Sequence, residues 1–128
     1  MEKNLTNNQQ IVLNSLEKSD QPLGAYSILF NIQKKGIKSP QQVYRALDKL
    51  IEIGAVHKIE SLNSYIACKN KNCDIKKSTS FLICEKCKNV SEINDNNLTD
   101  EFSKLTKKSD FKYATHNLEI FGFCKGCR

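Results

Sequence analysis

The sequence predicts an α+β chain in two units, on three observations. Between residues 5 and 54, apolar residues recur at helical spacing in three successive segments. Val56-His57-Lys58-Ile59-Glu60 and Ser64-Tyr65-Ile66-Ala67-Cys68 then read as short strands around a polar turn at Ser61-Leu62-Asn63. All six cysteines lie beyond the helical segments, and four of them form two C-x2-C pairs separated by 36 residues. Three helices closed by a hairpin make a winged helix, expected over residues 1–68. A hinge is expected over 69–80, and a small α/β domain stapled by a four-cysteine zinc site over 81–128.

Each helix has a local cause. Thr6-Asn7-Asn8-Gln9 fits a capping box, a hydroxyl followed three residues later by an amide, and Val12, Leu13 and Leu16 continue as an apolar stripe to Lys18. Asp20-Gln21-Pro22-Leu23-Gly24 breaks the chain. Ala25, Ile28, Leu29 and Ile32 then carry a second helix until Gly36 stops it. Ser39-Pro40 is a helix start, and Val43, Leu47, Leu50 and Ile51 mark the inner face of a third helix ending at Gly54. Its opposite face carries Gln41, Gln42, Tyr44, Arg45, Asp48 and Lys49, residue types able to read bases.

Beyond the hairpin, Lys69 to Ser80 is rich in Lys, Asn and Ser and lacks an apolar period, as a linker would. Phe81-Leu82-Ile83 and Val90-Ser91-Glu92-Ile93 are expected strands. Leu98, Phe102 and Leu105 form a helical stripe, and Tyr113 to Phe121 reads as a last strand.

Composition narrows the function classes. With 128 residues and 39% hydrophobic content, the second of two small cores needs a staple. No apolar run approaches the roughly 20 residues of a membrane span, so a cytoplasmic, non-membrane protein is expected. In a reducing compartment, six cysteines read as metal ligands or redox groups rather than structural disulfides. The net charge of +6 suits a polyanionic partner, and is also ordinary for a lysine-rich soluble protein. No nucleophile–base pair, phosphate-cradling glycine loop or open catalytic metal site is apparent, so neither enzymatic activity nor a small-molecule substrate is expected.

Cys84, Cys87, Cys124 and Cys127 supply two knuckles, each able to present two thiolates to one tetrahedral ion. A thioredoxin-like redox pair would need a βαβ setting, and two matching pairs favour a shared metal. Four thiolates leave no open position for water, so that ion would stabilise the fold without catalysing or sensing. Cys68, Cys73, His57 and Glu92 are the residue types of a second, mixed site. Spacing alone equally allows His57 to be an ordinary wing residue and Glu92 a solvated carboxylate. Two thiolates among four ligands suit zinc better than iron or manganese.

Leu5-Thr6, Tyr26, Val43-Tyr44-Arg45-Ala46-Leu47, Val56-His57-Lys58, Asn63-Ser64-Tyr65, both C-x2-C pairs, and His116-Asn117-Leu118-Glu119 before Gly122-Phe123-Cys124 resemble the ferric uptake regulator (Fur) superfamily, on its zinc uptake regulator branch. The resemblance runs from residue 5 to 127. It implies a zinc-responsive repressor: a homodimer whose winged helices bind a palindromic, AT-rich operator when a sensory site is filled, with zinc as co-repressor. It also implies one structural ion on Cys84, Cys87, Cys124 and Cys127, and one regulatory ion per subunit on His57, Cys68 and Glu92. The linker lacks the family's histidine, and Cys73 stands in its place as the fourth regulatory ligand. The histidine-rich pattern of iron and peroxide sensors before the first knuckle is absent. His116 is left without the partners of a further family site and is expected to be a hydrogen-bonded structural residue.

The resemblance also assigns Tyr26 and Tyr44 to the DNA face. Thr6-Asn7-Asn8-Gln9 departs from the family's Thr-Pro-Gln-Arg and removes one cation from the first helix. Lys34, Lys35, Lys38, Lys49 and Lys58 are expected to neutralise phosphates, while Arg45, one of two arginines, can bind a guanine edge bidentately. Three alternatives remain open: an iron- or peroxide-responsive regulator on the same scaffold, a thiol redox switch through Cys68 and Cys73, and a zinc-ribbon scaffold or adaptor that binds another protein and uses its basic face only for solubility.

Overall fold

The computed structural model describes residues 5–68, 78–93 and 96–128, and the chain divides into two compact units, Met1–Ile75 and Lys76–Arg128. The architecture is α+β. In the first unit, helices α1 (Asn7–Glu17), α2 (Ala25–Ile32) and α3 (Pro40–Glu52) precede strands β1 (Val56–Ile59) and β2 (Ser64–Ala67).

The predicted capping box of α1 forms, and α3 carries a second one that its Ser39-Pro40 start did not by itself announce. The Thr6 hydroxyl accepts from the Gln9 amide at 3.2 Å while the Gln9 side-chain oxygen accepts from the Thr6 amide at 3.0 Å. Ser39 and Gln42 repeat the exchange at 3.3 Å in each direction, with Pro40 opening α3. Four otherwise orphaned backbone donors are thereby satisfied, and a cap of this kind is worth about 1 kcal/mol. After α2, a single 3-10 turn, Gln33–Lys35, ends on Gly36 at φ 100°, a left-handed conformation that glycine adopts without a Cβ clash.

The three helices bury one stripe each into a common core. Val12 of α1, Ile28 of α2, Val43, Leu47 and Leu50 of α3, and Ile37 between helices are fully excluded from solvent. Each such aliphatic side chain contributes about 1.5–3 kcal/mol on burial. The hairpin pairs antiparallel, Val56 opposite Ala67 and Ile59 opposite Ser64, across a 3-10 turn that closes on Asn63 at φ 47°. Leu23 bridges to Tyr65 through two backbone bonds of 2.9 and 2.8 Å, so the segment before α2 lies along the hairpin as a third, minimal strand. This is a winged helix.

The second unit is a three-stranded sheet of order β4-β3-β5 with one helix: β3 (Thr79–Cys84), β4 (Val90–Glu92), α4 (Asn96–Lys107) and β5 (Asn117–Gly122). β4 pairs antiparallel with β3, and β5 pairs parallel with it after a crossover through α4. The sheet buries Phe81 and Ile83 on one face and leaves Leu82 exposed on the other. Leu105, expected in the inner stripe of α4, is 61% exposed. Thr106 is half-buried in its stead, with its hydroxyl turned back to the Phe102 carbonyl at 3.0 Å.

The last strand begins at Asn117 rather than at Tyr113, because the intervening side chains are drawn into a network instead of a ladder. The Tyr113 hydroxyl lies 2.6 Å from His116 Nδ1 and 3.1 Å from Ser78 Oγ. Ser80 Oγ, on a buried residue, lies 3.0 Å from His116 Nε2. The His116 amide donates to Ser78 Oγ at 3.1 Å, and Phe102 meets the imidazole edge-on at 4.8 Å. His116 is therefore hydrogen-bonded through both ring nitrogens.

Burial lowers the pKa of His116, so the folded chain disfavours its protonation relative to the unfolded chain. The sign follows: stability from this group is complete above the unfolded pKa of about 6.5 and is lost as pH falls below it, because the unfolded chain binds the extra proton. Urea melts of wild type and His116→Gln across this range should differ in pH slope, the wild type losing stability faster below pH 6.5. Identical slopes would contradict the burial argument.

Candidate metal centre and nucleic-acid interface

The parallel pairing of β3 and β5 places Cys84 opposite Gly122, so both strands end at the same edge of the sheet and each runs into a knuckle. The first knuckle turns through Lys88 in the left-handed region, φ 65°, with the Lys88 amide bonded to the Cys84 carbonyl at 3.0 Å. The second closes with the amides of Cys127 and Arg128 on the Cys124 carbonyl, at 2.9 and 3.1 Å. The Glu85 amide bonds the Gly122 carbonyl at 2.8 Å and fastens the two turns side by side.

Cys84, Cys87, Cys124 and Cys127 are free thiols whose sulfurs all lie within 4.8 Å of one another. The Cys87–Cys124 sulfur pair is 3.7 Å apart. A tetrahedron built on a zinc–sulfur bond of about 2.3 Å has edges of about 3.8 Å, so this spacing fits zinc. The amides of Cys124 and Cys87 both point at Cys84 Sγ, at 3.5 Å. With a further contribution from Lys86, they pull the Cys84 thiol down to about 5. Cys127 is pushed up to about 12 by the Cys124 and Cys84 thiols, and Cys87 is raised by Cys84 and burial in spite of the Asn89 amide. Four crowded thiols cannot all ionise without a cation among them, and a divalent ion removes that penalty. Bound there, zinc supplies a closed tetrahedral staple and no catalytic water.

The nucleic-acid candidates share the first unit. The inner face of α3 is Val43, Ala46, Leu47 and Leu50, which leaves Gln41, Tyr44, Arg45 and Lys49 exposed on the other side. Lys49 pairs with Glu52 at 3.7 Å. Lys38, just ahead of the helix, is exposed, and so is Tyr26 of α2 at 68%. Gln42 departs from the expected base-reading face, because its side chain turns back into the cap. Phe30 was not singled out from the sequence, yet at 74% exposure it stands one helical turn beyond Tyr26. Its only signal is an apolar residue off the Ala25–Ile28–Ile32 stripe.

Of the four mixed-site candidates, His57 sits on β1 opposite Ile66, and Cys68 follows β2 with its amide bonded to the Ala55 carbonyl at 2.9 Å. A ring nitrogen of His57 and the Cys68 sulfur lie within 4.8 Å of each other. Cys68 is disulfide-bonded, so a thiolate ligand there requires reduction. Glu92 belongs to the other unit, as the last residue of β4, opposite Phe81. Cys73 and residues 69–77 of the expected 69–80 hinge lie outside the described residues, while Thr79 and Ser80, at the end of that expected hinge, already belong to β3.

Removing one sulfur from the four-thiol cluster should undo the second unit. Cys84→Ser is expected to lose bound zinc in native mass spectrometry and to lose the cooperative melting of the sheet, while the helical signal of the first unit persists. Full zinc content and an unchanged melt in the variant would show that the cluster is not a metal staple.

Comparison with known proteins places this geometry. Residues 2–121 match the Ferric uptake regulator family. The Zinc uptake regulation protein of Escherichia coli (strain K12) is 34% identical over 124 residues, which cover 96% of this chain and 72% of that protein. A solved zinc uptake regulator complexed with zinc and DNA superposes with a TM-score of 0.86 at 31% identity, over 96% of this chain and 82% of that one. Holo XcZur gives 0.84 at 31% identity, over 98% and 87%. With the match spanning nearly its whole length, this chain belongs to the ferric uptake regulator family.

Proposed function

We propose that the protein is a zinc-responsive transcriptional repressor that binds palindromic operator DNA as a homodimer, with zinc as co-repressor. The observation that carries this reading is the outward face of α3, where Gln41, Tyr44 and Arg45 stand exposed on a helix whose other face is wholly buried. A helix so mounted can enter a major groove, with Arg45 bidentate to guanine and Lys38 and Lys49 on phosphates. Tyr26 and Tyr44 would add contacts to backbone or thymine methyls. Support for zinc comes from the four-sulfur cluster and from similarity to a zinc uptake regulation protein.

The homodimer is supported by the second unit. β5 is an edge strand, and Leu82, Ile120, Phe121 and Phe123 are exposed beside it. An apolar sheet face with an open edge is what a second copy would cover. In the dimer, two recognition helices must meet major grooves about 34–36 Å apart, and a loose hinge rarely holds that spacing. A regulatory zinc on His57, Cys68, Cys73 and Glu92 would restrain the hinge, and the structural zinc on the four knuckle cysteines would not respond to supply. Each subunit would then carry two ions.

A disulfide at Cys68 favours a second reading, redox control: an oxidant such as peroxide takes two electrons from the Cys68 thiol and a second thiol, which release two protons, and so removes a regulatory ligand. Thiol titration after peroxide, compared with operator binding, separates this from direct metal control.

Fluorescence anisotropy on an AT-rich palindromic duplex, with free Zn²⁺ buffered and the protein reduced, tests the main reading. Zn²⁺, but not Fe²⁺ or Mn²⁺, should tighten binding. Cys68→Ser should lose that response without losing the fold, and Arg45→Ala should cost about 1–3 kcal/mol of affinity. Binding indifferent to every metal would sink the co-repressor assignment.

A further inference from the structure

Both capping boxes of the winged helix commit a carboxamide oxygen. Gln9 Oε1 accepts from the Thr6 amide at 3.0 Å. Gln42 Oε1 accepts from the amides of Lys38 and Ser39 at 3.0 and 3.3 Å, and lies 3.4 Å from the Ser39 hydroxyl. A primary amide has one oxygen and one NH₂ on opposite sides of its carbon, so fixing the oxygen against the backbone leaves the NH₂ facing away from the cap.

Gln9 and Gln42 also line a single cleft of about 220 Å³ between the starts of α1 and α3, together with Thr6, Asn8, Arg45 and Ala46. Arg45 adds a guanidinium with five donors and Asn8 a further carboxamide. No acidic residue occurs from Leu5 to Leu16 or from Gln21 to Leu47. The described lining thus holds directed donors, some neutral and one cationic, and no carboxylate. Its complement is an anionic oxygen acceptor, and it opens beside the exposed face of α3.

We propose that Gln9 and Gln42, with Asn8, form a clamp for one phosphate of the DNA backbone, adjoining the groove that α3 enters, with Arg45 of the same lining left to address the bases. The proposal rests on the reading of the protein as a DNA-binding regulator. In helix-turn-helix proteins the recognition helix addresses the bases while a preceding helix crosses the backbone. The cleft gives this chain a place where the two helices hold a strand jointly. The glutamines are neutral, so they add affinity and register without the counterion release that makes lysine contacts salt-dependent. Their capping role fixes the donors before DNA arrives, and little side-chain entropy is lost on binding.

The test separates cap from clamp. Gln9→Glu and Gln42→Glu keep an oxygen for the capping box, since glutamate serves there as well as glutamine, but replace the outward NH₂ with a carboxylate oxygen. Gln9→Met removes the donors without adding charge but also removes the capping oxygen, so its binding is compared with wild type only at temperatures where its melt shows α1 folded. Gln10→Glu is the control for a new charge on the same helix, because Gln10 points its NH₂ at Asn14, 2.9 Å away, and does not line the cleft.

Anisotropy on the AT-rich palindromic duplex with zinc present should show both cleft glutamates binding about tenfold or more weakly than wild type, with unchanged melting temperature and a deficit that shrinks as salt screens the repulsion. Gln9→Met should weaken binding with the slope of log Kd against log salt unchanged, and Gln10→Glu should bind like wild type. If wild type binds and the cleft glutamates bind no worse than Gln10→Glu, the clamp is refuted while the regulator reading stands. If wild type does not bind the duplex, both fall together.

Discussion

The second unit depends on one pairing, the parallel alignment of β3 with β5. Parallel neighbours require a crossover, which α4 supplies, and they end at the same edge of the sheet. Because Cys84 faces Gly122, the strand register itself brings the two knuckles that follow side by side. A slip of one residue would turn every side chain to the wrong face and separate the sulfurs. The unit needs such a device. Its buried apolar side chains among the described residues are Phe81, Ile83 and Cys84, far fewer than the first unit commands. A cross-link that closes a loop of the size between the knuckles is worth about 4 kcal/mol in the chain-entropy picture, comparable to the burial of two aliphatic side chains.

The two units are stabilised by different means. The first has a continuous aliphatic core and caps both of its long helices with reciprocal hydrogen bonds, so nothing in it calls for a metal. The second combines its knuckles with the hydrogen bonds that tie Tyr113 and His116 to Ser78 and Ser80 at the start of β3. His116 is held there by the neutral hydroxyls of Tyr113 and Ser80.

Much of this was legible in the sequence because it is encoded locally. Thr6 with Gln9 and Ser39 with Pro40 announce helix starts locally, and the Val43–Leu47–Leu50 stripe fixes which way α3 faces. The C-x2-C pairs announce convergence, since two matching pairs are better satisfied by one shared tetrahedral ion than by two separate redox couples. What escaped is nonlocal. The start of β5 was read four residues too early because β-like composition at Tyr113 says nothing about the serines that capture it. Leu105 fits a helical stripe and yet faces out, since Thr106 can satisfy its own hydroxyl on the helix backbone and take the inner place. Gln42 was read as part of the α3 outer face, although the same spacing that makes it a capping residue turns it away. Phe30 could be found only by asking which apolar residues fall outside a stripe.

The open edge of β5 sets a problem of choice. Backbone amides and carbonyls are the same in every strand, so a six-residue edge offers its hydrogen bonds to any extended segment of suitable length. If a two-fold axis relates two copies, it reverses chain direction, and a strand pairing with its own image across that axis must run antiparallel to it. The backbone would then fix the geometry of such a pairing but not the identity of the partner. Selection would fall to Leu82, Ile120 and Phe121, whose exposed surfaces would have to match their own two-fold images. Changes at these three positions would therefore bear on the choice of partner as much as on stability.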